Sequence, residues 1–214
     1  MTIKRLLAGL ALVCTGATHA TTVLSEGFDN LAALPGAGWV LTNNSDSPSQ
    51  PWFQGNSGIF SSFDGAAGAY AAASFLSSGL DTGRVSNWLI TPVLSLSGNG
   101  TLSFYARTET TDFADGLTVR LSNGSSATGD FGVTLLTLPA LTTTWTLYTV
   151  NLPSFASATD ARVAFEYSVG NAINADYIGL DAVSVVTTPV PEPASALLMG
   201  LGLAGFMIRR RLSA

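Results

Sequence analysis

The stretch from Thr21 to Val186 is built from short runs in which apolar and polar residues alternate, separated by Gly, Asn, Asp, Ser and Pro. In the clearest run, Thr101–Arg107, leucine, phenylalanine and alanine alternate with more polar residues. This period of two is what a half-buried antiparallel strand requires, and no run shows the 3.6-residue period of a helix. Asn123 and Gly124 favour a hairpin turn. The stretch is therefore predicted to fold from strands alone.

About ten to twelve such strands fit into this stretch, with Thr144–Leu152 and Ala161–Val169 as two separate strands near its end. Many short strands joined by polar loops favour two packed antiparallel sheets. We therefore predict an all-β domain over residues 21–186, with the form of a jelly-roll sandwich.

Residues 1–20 have the parts of a secretory signal peptide. Two basic residues precede the apolar run Leu6–Ala17, and small residues occupy the positions before the predicted cleavage site after Ala20. The pattern predicts export through the Sec translocon and removal of the segment by signal peptidase. A lipoprotein signal acylated at Cys14 is the alternative.

Residues 191–214 combine a Pro-Glu-Pro triplet, an uncharged apolar segment and an arginine cluster, in that order. These are Pro191, Glu192 and Pro193; the predicted transmembrane helix 194–208; and Arg209, Arg210 and Arg211. Proline ends the preceding structure, and the arginines stay on the cytoplasmic side of a membrane. Residues 187–190 are a predicted linker. The helix would be about 22 Å long against a hydrocarbon core of about 30 Å, which favours a processed signal over a lasting anchor.

This C-terminal pattern resembles the PEP-CTERM sorting signal of Gram-negative bacteria that make exopolysaccharide. The resemblance implies that a membrane-embedded exosortase recognises the signal and that the helix and arginines are removed. It further implies an exported protein that passes through the inner membrane and reaches the cell surface or extracellular matrix. An ordinary C-terminal anchor is the alternative.

The domain between the two signals contains no Cys, His, Lys or Met. It therefore has no Ser-His-Asp triad, Cys-His pair, Ser-Lys dyad or histidine zinc site. We predict that the protein is not an enzyme. Glycoside hydrolysis by a pair of carboxylates remains as an alternative, although no pair is singled out by its spacing.

The charge of the same domain is strongly acidic. Four arginines stand against thirteen carboxylates, which gives a net charge of −9 for residues 21–188. Such a surface repels nucleic acid and anionic lipid, so neither is expected as a partner. It is compatible with bound divalent cations.

Five segments of the domain resemble the choice-of-anchor J domain, which is related to MAM and cleaved-adhesin modules. They are Ser25–Asp29, Gly38-Trp39, Ser86–Pro92, Leu102–Arg107 and Ile178–Val185. The resemblance implies a jelly-roll module in which a structural Ca²⁺ ties the first strand to the last. It implies Glu26, Asp29 and Asp181 as the ligands, with a departure at Ala182, where relatives often carry a second acidic residue. No cofactor is required, and edge carboxylates without a bound ion are the alternative to the calcium site.

The four tryptophans offer a further candidate site, because an exposed indole presents a flat apolar face to a sugar ring. Trp52 lies in a polar Gln-Pro-Trp-Phe-Gln loop, which makes it the member of the set most expected to be exposed and to bind a sugar, with packing into the core as the alternative. Trp39, Trp88 and Trp145 are predicted to lie in the core.

These patterns together predict a secreted, exosortase-sorted protein of the cell surface or extracellular matrix. Its expected role is adhesive or structural within exopolysaccharide or biofilm, with exopolysaccharide as a partner. A carbohydrate-binding module is the first alternative, and a carboxylate-dependent glycoside hydrolase is the second.

Overall fold

The structure, a computed structural model, describes residues 19–188. The signal peptide predicted for residues 1–20, apart from its last two residues, and the sorting signal predicted for residues 191–214 lie outside this range. Among the described residues, no helix has the length and apolar character needed to cross a membrane.

Ten strands form the architecture of the described part, and the elements between them are loops and short 3-10 helices. In chain order they are β1 (Thr21–Glu26), β2 (Val40–Asn43), β3 (Phe53–Gln54), β4 (Ala71–Ser74), β5 (Val85–Ile90), β6 (Leu94–Thr108), β7 (Gly116–Ser122), β8 (Val133–Leu138), β9 (Thr146–Val169) and β10 (Tyr177–Thr188). Every strand pairing is antiparallel. The predicted all-β antiparallel fold is confirmed.

The strands form two layers that are joined through β9. In the first layer, β6 lies between the first part of β9 and β10, and β10 pairs along its other edge with both β1 and β4. In the second layer, the last part of β9 lies between β5 and β7, with β2 and β8 at the two edges. The two layers are therefore one curled sheet, with the core between its halves.

The prediction of two separate strands at 144–152 and 161–169 is wrong. The structure has a single strand, β9, of 24 residues that runs through both layers. The intervening residues include Phe155 and Thr159, which are of types that favour strands, and both pair with β6.

The core lies between the two layers and is lined by alternate residues of each strand. Phe104 of β6 and Phe165 of β9 meet across it, with ring centroids 5.2 Å apart in an edge-to-face arrangement. Both side chains are fully buried. Burying a large aromatic side chain in this way contributes about 1.5–3 kcal/mol.

A second apolar cluster lies on the outer face of the first layer, where the segment 53–70 folds over β4 and β10. Its buried members are Phe60, Tyr70, Ala72 and Tyr177, with Trp145 packed against them. The outer face is thus partly covered by chain, which the alternation in the sequence does not indicate.

The last strand is longer than predicted. Thr187 and Thr188 belong to β10, and Thr187 pairs with Thr21 at the start of β1. The predicted linker at 187–190 is therefore wrong in its first two residues. Strand β1 begins directly after the predicted signal peptidase site at Ala20, so both ends of the domain lie side by side.

Candidate functional site

An apolar groove lies between the turn at Phe75–Ser77, the loop that follows it, the loop 109–115 and the turn at Ala172–Asn174. Its volume is about 510 Å³, within the range of ligand sites. Five of the nine exposed large apolar side chains in the described part line it: Phe75, Leu76, Leu80, Phe113 and Ile173, each between 39% and 60% exposed. This concentration of exposed apolar surface makes the groove the leading candidate site.

Short polar contacts fix the two turns that carry these side chains. The hydroxyl of Ser74 accepts a hydrogen bond from the amide of Leu76, and the side chain of Asn171 accepts one from the amide of Ile173. The amide of Phe75 donates to the carbonyl of Asp176 at 2.9 Å, which joins the two sides of the groove. The groove is therefore held by local caps and one cross-contact.

The loop 109–115 is anchored by Asp115, which is fully buried. Its carboxylate accepts hydrogen bonds from the hydroxyls of Thr108 and Tyr167, at 2.7 Å and 2.5 Å, and from the amide of Asp176 at 2.9 Å. Burial raises the pKa of Asp115 despite these three donors. No local pattern in the sequence indicates this anchor, because the donors lie seven to 61 residues away.

The groove carries negative charge at its rim. Asp81 and Asp176 line it, and none of the described residues that line it is basic. The Asp176 carboxylate accepts a hydrogen bond from the hydroxyl of Thr110 at 2.8 Å. Burial, and then the charge of Asp176, raise the pKa of the nearby Glu109. The groove therefore combines an apolar lining with an uncompensated acidic edge.

A second exposed surface lies on the outer face of the first layer. Phe63 stacks on Tyr105 of β6 with ring centroids 3.5 Å apart and planes 13° from parallel. Phe63 is 45% exposed, and its neighbourhood on the sheet includes Ser103 and Thr149. A flat aromatic ring beside hydroxyl side chains is a surface on which a sugar ring can stack.

Asp181 holds this platform in place. It is fully buried, and its carboxylate accepts hydrogen bonds from the amides of Phe63 and Asp64, at 2.8 Å and 3.2 Å, and from that of Ala182 at 2.6 Å. Burial raises the pKa of Asp181. Ala182 has a positive φ of 48°, where β10 bulges between its β4 and β1 partners. The loop with Phe63 is therefore bonded to β10 directly beside this bulge.

The structure brings two of the three predicted calcium ligands together. Glu26 and Asp29 line one cavity of about 280 Å³, which Asp64 also lines. Asp181 does not line this cavity, and Glu26 accepts a hydrogen bond from the amide of Phe28. Within residues 19–188, no three His, Cys, Asp or Glu side chains are grouped closely enough to hold a metal ion.

Trp52 is not an exposed platform, so the sugar-stacking role predicted for it is wrong. It is 2% exposed, and its indole nitrogen donates to the carbonyl of Asn87 at 3.0 Å. The polar residues around it in sequence suggested a surface loop, but the loop folds its indole onto the core. Trp39 and Trp88 are buried as predicted, and Trp145 is half-buried against Phe60.

Comparisons with known proteins agree with both resemblances. Residues 189–211 match the PEP-CTERM protein-sorting motif. No curated protein matches the sequence.

Three solved structures share the fold of the domain. The K1 cleaved adhesin domain of Lys-gingipain from Porphyromonas gingivalis W83 is 25% identical, with a TM-score of 0.62 over 77% of this chain and 97% of that one. The K3 cleaved adhesin domain of the same protein is 24% identical, with a TM-score of 0.58 over 79% and 99%. The K2 cleaved adhesin domain is 20% identical, with a TM-score of 0.57 over 76% and 98%. The chain is thus similar to cleaved adhesin domains over nearly their whole length.

Proposed function

We propose that this protein is a non-enzymatic adhesive module of the exopolysaccharide or biofilm matrix, which exosortase processing delivers to the cell surface. The PEP-CTERM motif indicates an exported protein that is sorted to the surface. The similarity to a cleaved adhesin domain supports an adhesive role. The apolar groove supplies the contact surface, and it is the observation on which the proposal chiefly rests.

A groove of this kind favours a binding role over a catalytic one. Exposed apolar patches on secreted domains mark interaction sites, because contact with a partner removes them from water. Catalysis needs a convergent set of reactive groups, and the domain offers only carboxylates, hydroxyls and arginines. The Glu166 carboxylate is already occupied by the hydroxyl of Ser86 and the guanidinium of Arg120, each at 2.9 Å.

The adhesive role is tested by removing the apolar lining in cells that export the full chain. We expect the double variant Leu80→Asn and Ile173→Asn to lose most of its retention in the matrix, measured as protein recovered from washed biofilm. The matched control is Val133→Asn, since Val133 is 48% exposed, close to the 52% of Leu80, but lies on β8 outside the groove. Equal retention of all three forms would refute the role of the groove.

The sorting step is tested by the intact mass of the native protein from membrane and medium fractions. Processing predicts that the secreted form ends near residues 188–193, without the helix and arginine cluster. Full-length protein confined to the inner membrane would contradict processing, whatever the groove binds.

Carbohydrate binding is the second candidate function. The surface that favours it is the exposed ring of Phe63 stacked on Tyr105, since Trp52 is buried. Stacking of a sugar on a single aromatic ring is a weak contact, which suits repeated binding along a long polysaccharide. Affinity electrophoresis in gels that contain the cell's own exopolysaccharide checks this. We expect Phe63→Ala to abolish retardation if this surface binds sugar, while Phe113→Ala, in the groove, leaves it unchanged.

A further inference from the structure

We propose that the groove receives a polypeptide segment that combines apolar side chains with Lys or Arg. This inference rests on the adhesive function proposed above and names the partner class for the same site. It draws on the chemistry of the lining and on the charge at the rim.

The lining suits side chains of a polypeptide better than sugar rings. Three of its five exposed apolar residues, Leu76, Leu80 and Ile173, are aliphatic and offer no flat face to a pyranose. Two aromatic residues, Phe75 and Phe113, also line the groove, but none of the described lining residues is a Trp, Tyr, Asn, Gln or Arg. Polysaccharide sites depend on such aromatic planes and hydrogen-bonding side chains, whereas apolar side chains are what the cores of protein interfaces bury.

The rim selects the charge of the segment. Asp81 and Asp176 face the groove, and no arginine within residues 19–188 forms an ion pair with either of them. The net charge of −9 on the domain adds a long-range field of the same sign. A cationic segment is therefore attracted and oriented by the rim, and an acidic segment or an anionic lipid surface is repelled.

The geometry of the groove is fixed before binding. Asp115 fastens the loop with Phe113 to Tyr167 of β9 and to the amide of Asp176, the residue before β10, and the amide of Phe75 donates to the carbonyl of Asp176. A preformed groove loses little conformational freedom when it is occupied, so modest contacts suffice for binding.

The test uses the mature protein recovered from the medium and a fluorescent ten-residue peptide of alternating leucine and arginine. We expect saturable binding by fluorescence polarisation, with loss of binding when the arginines are replaced by glutamate or the leucines by serine. The double variant Asp81→Asn and Asp176→Asn should bind about fivefold more weakly and show less dependence on salt.

Two controls separate the groove from the overall charge. The variant Asp130→Asn and Asp160→Asn removes two exposed carboxylates outside the groove and should bind as the parent does. The variant Leu80→Asn and Ile173→Asn should abolish binding, while Val133→Asn should not. Equal weakening by both aspartate pairs would mean attraction by net charge alone and would overturn the proposal.

The outcomes also separate this proposal from the adhesive function. If Leu80→Asn and Ile173→Asn reduce matrix retention but the leucine-arginine peptide neither binds nor competes, adhesion through the groove stands and the peptide class is overturned. If neutral polysaccharide or neutral lipid vesicles reduce the retention of the protein in the matrix and the peptide does not, the peptide class is overturned in favour of that partner. If retention is unaffected by the groove variants, the adhesive function of the groove itself fails.

Discussion

Gly179 of β10 shows how one missing side chain supports the outer cluster. A Cβ at this position would lie 2.7 Å from Cη2 of Trp145 and 2.8 Å from Cε2 of Phe60, closer than packed carbon atoms approach. Both rings would have to shift, and overpacking of this kind typically costs about 1–3 kcal/mol. We therefore expect Gly179→Ala to lower the free energy of unfolding by about that amount, measured by urea denaturation.

Gly170 provides the matched control for this substitution. No heavy atom lies within 4 Å of the position that its Cβ would take. We expect Gly170→Ala to change the free energy of unfolding by less than about 0.5 kcal/mol. Equal destabilisation by both substitutions would show that loss of glycine itself, and not the contact with the rings, is responsible.

Single residues were predicted best from the sequence where the deciding partner is close in the chain. The alternation in Thr101–Arg107 identified β6, because neighbours two residues apart share a face. Asp181 was expected, from the family resemblance, to bind calcium. Its carboxylate accepts a hydrogen bond from the amide of Phe63, 118 residues away, and the sequence did not indicate this contact. The prediction that Trp52 is exposed was wrong for the same reason, since its hydrogen-bond partner Asn87 is 35 residues away.

At the scale of elements, strands were predicted more reliably than the contacts between them. The pattern of apolar residues predicted strands throughout the domain, and residues 19–188 form ten. It did not indicate that β10 pairs with two different strands along one edge, or that β9 passes from one layer to the other. Strand pairing and layer crossing depend on long-range packing, which a local period does not encode.

The proposed calcium site also depends on how elements meet, because it lies between β1, the bulge in β10 and the loop 63–65. We propose that Ca²⁺ binds in the cavity lined by Glu26 and Asp29, with backbone carbonyl oxygens and water completing a ligand set in which fewer than three carboxylates are grouped. Asp181 supports the loop 63–65 by accepting from the amides of Phe63 and Asp64. Carboxylate and carbonyl oxygens are the ligands that Ca²⁺ prefers, and a ligand that binds only the folded state stabilises it. We expect millimolar Ca²⁺ to raise the melting temperature by several degrees.

Variants identify the groups responsible for that shift. We expect Glu26→Gln to remove the stabilisation by Ca²⁺, whereas Asp160→Asn, an exposed carboxylate that does not line the cavity, should keep it. A melting temperature that stays the same with Ca²⁺ and with chelator would rule out the site.

At the scale of the whole molecule, the sequence indicated how the protein is delivered better than what it contacts. The sorting motif is a contiguous pattern, so Pro191, Glu192 and Pro193 and the arginines that follow were identified directly, and residues 189–211 match the motif. The groove is assembled from loops around residues 75–81, 113 and 172–176, and no local pattern joins them. The apolar residues that line the groove also look like ordinary core residues in the sequence, because the sequence does not show which leucines stay exposed.

The response of stability to pH is set by buried carboxylates in a domain of net charge −9. Burial raises the pKa values of Asp115 and Asp181, and burial and Asp176 raise that of Glu109. An acid whose pKa is raised by folding binds its proton more tightly in the folded state, so protonation stabilises the fold. This stabilisation grows as the pH falls through the folded pKa towards 3.8, the unperturbed value for aspartate. We expect the free energy of unfolding, from urea titrations, to rise as the pH falls from neutrality towards that unperturbed value, and relief of charge repulsion acts in the same direction. Asp115→Asn, which cannot titrate, should show a smaller rise, and a fall in the parent's stability over this range would contradict the argument.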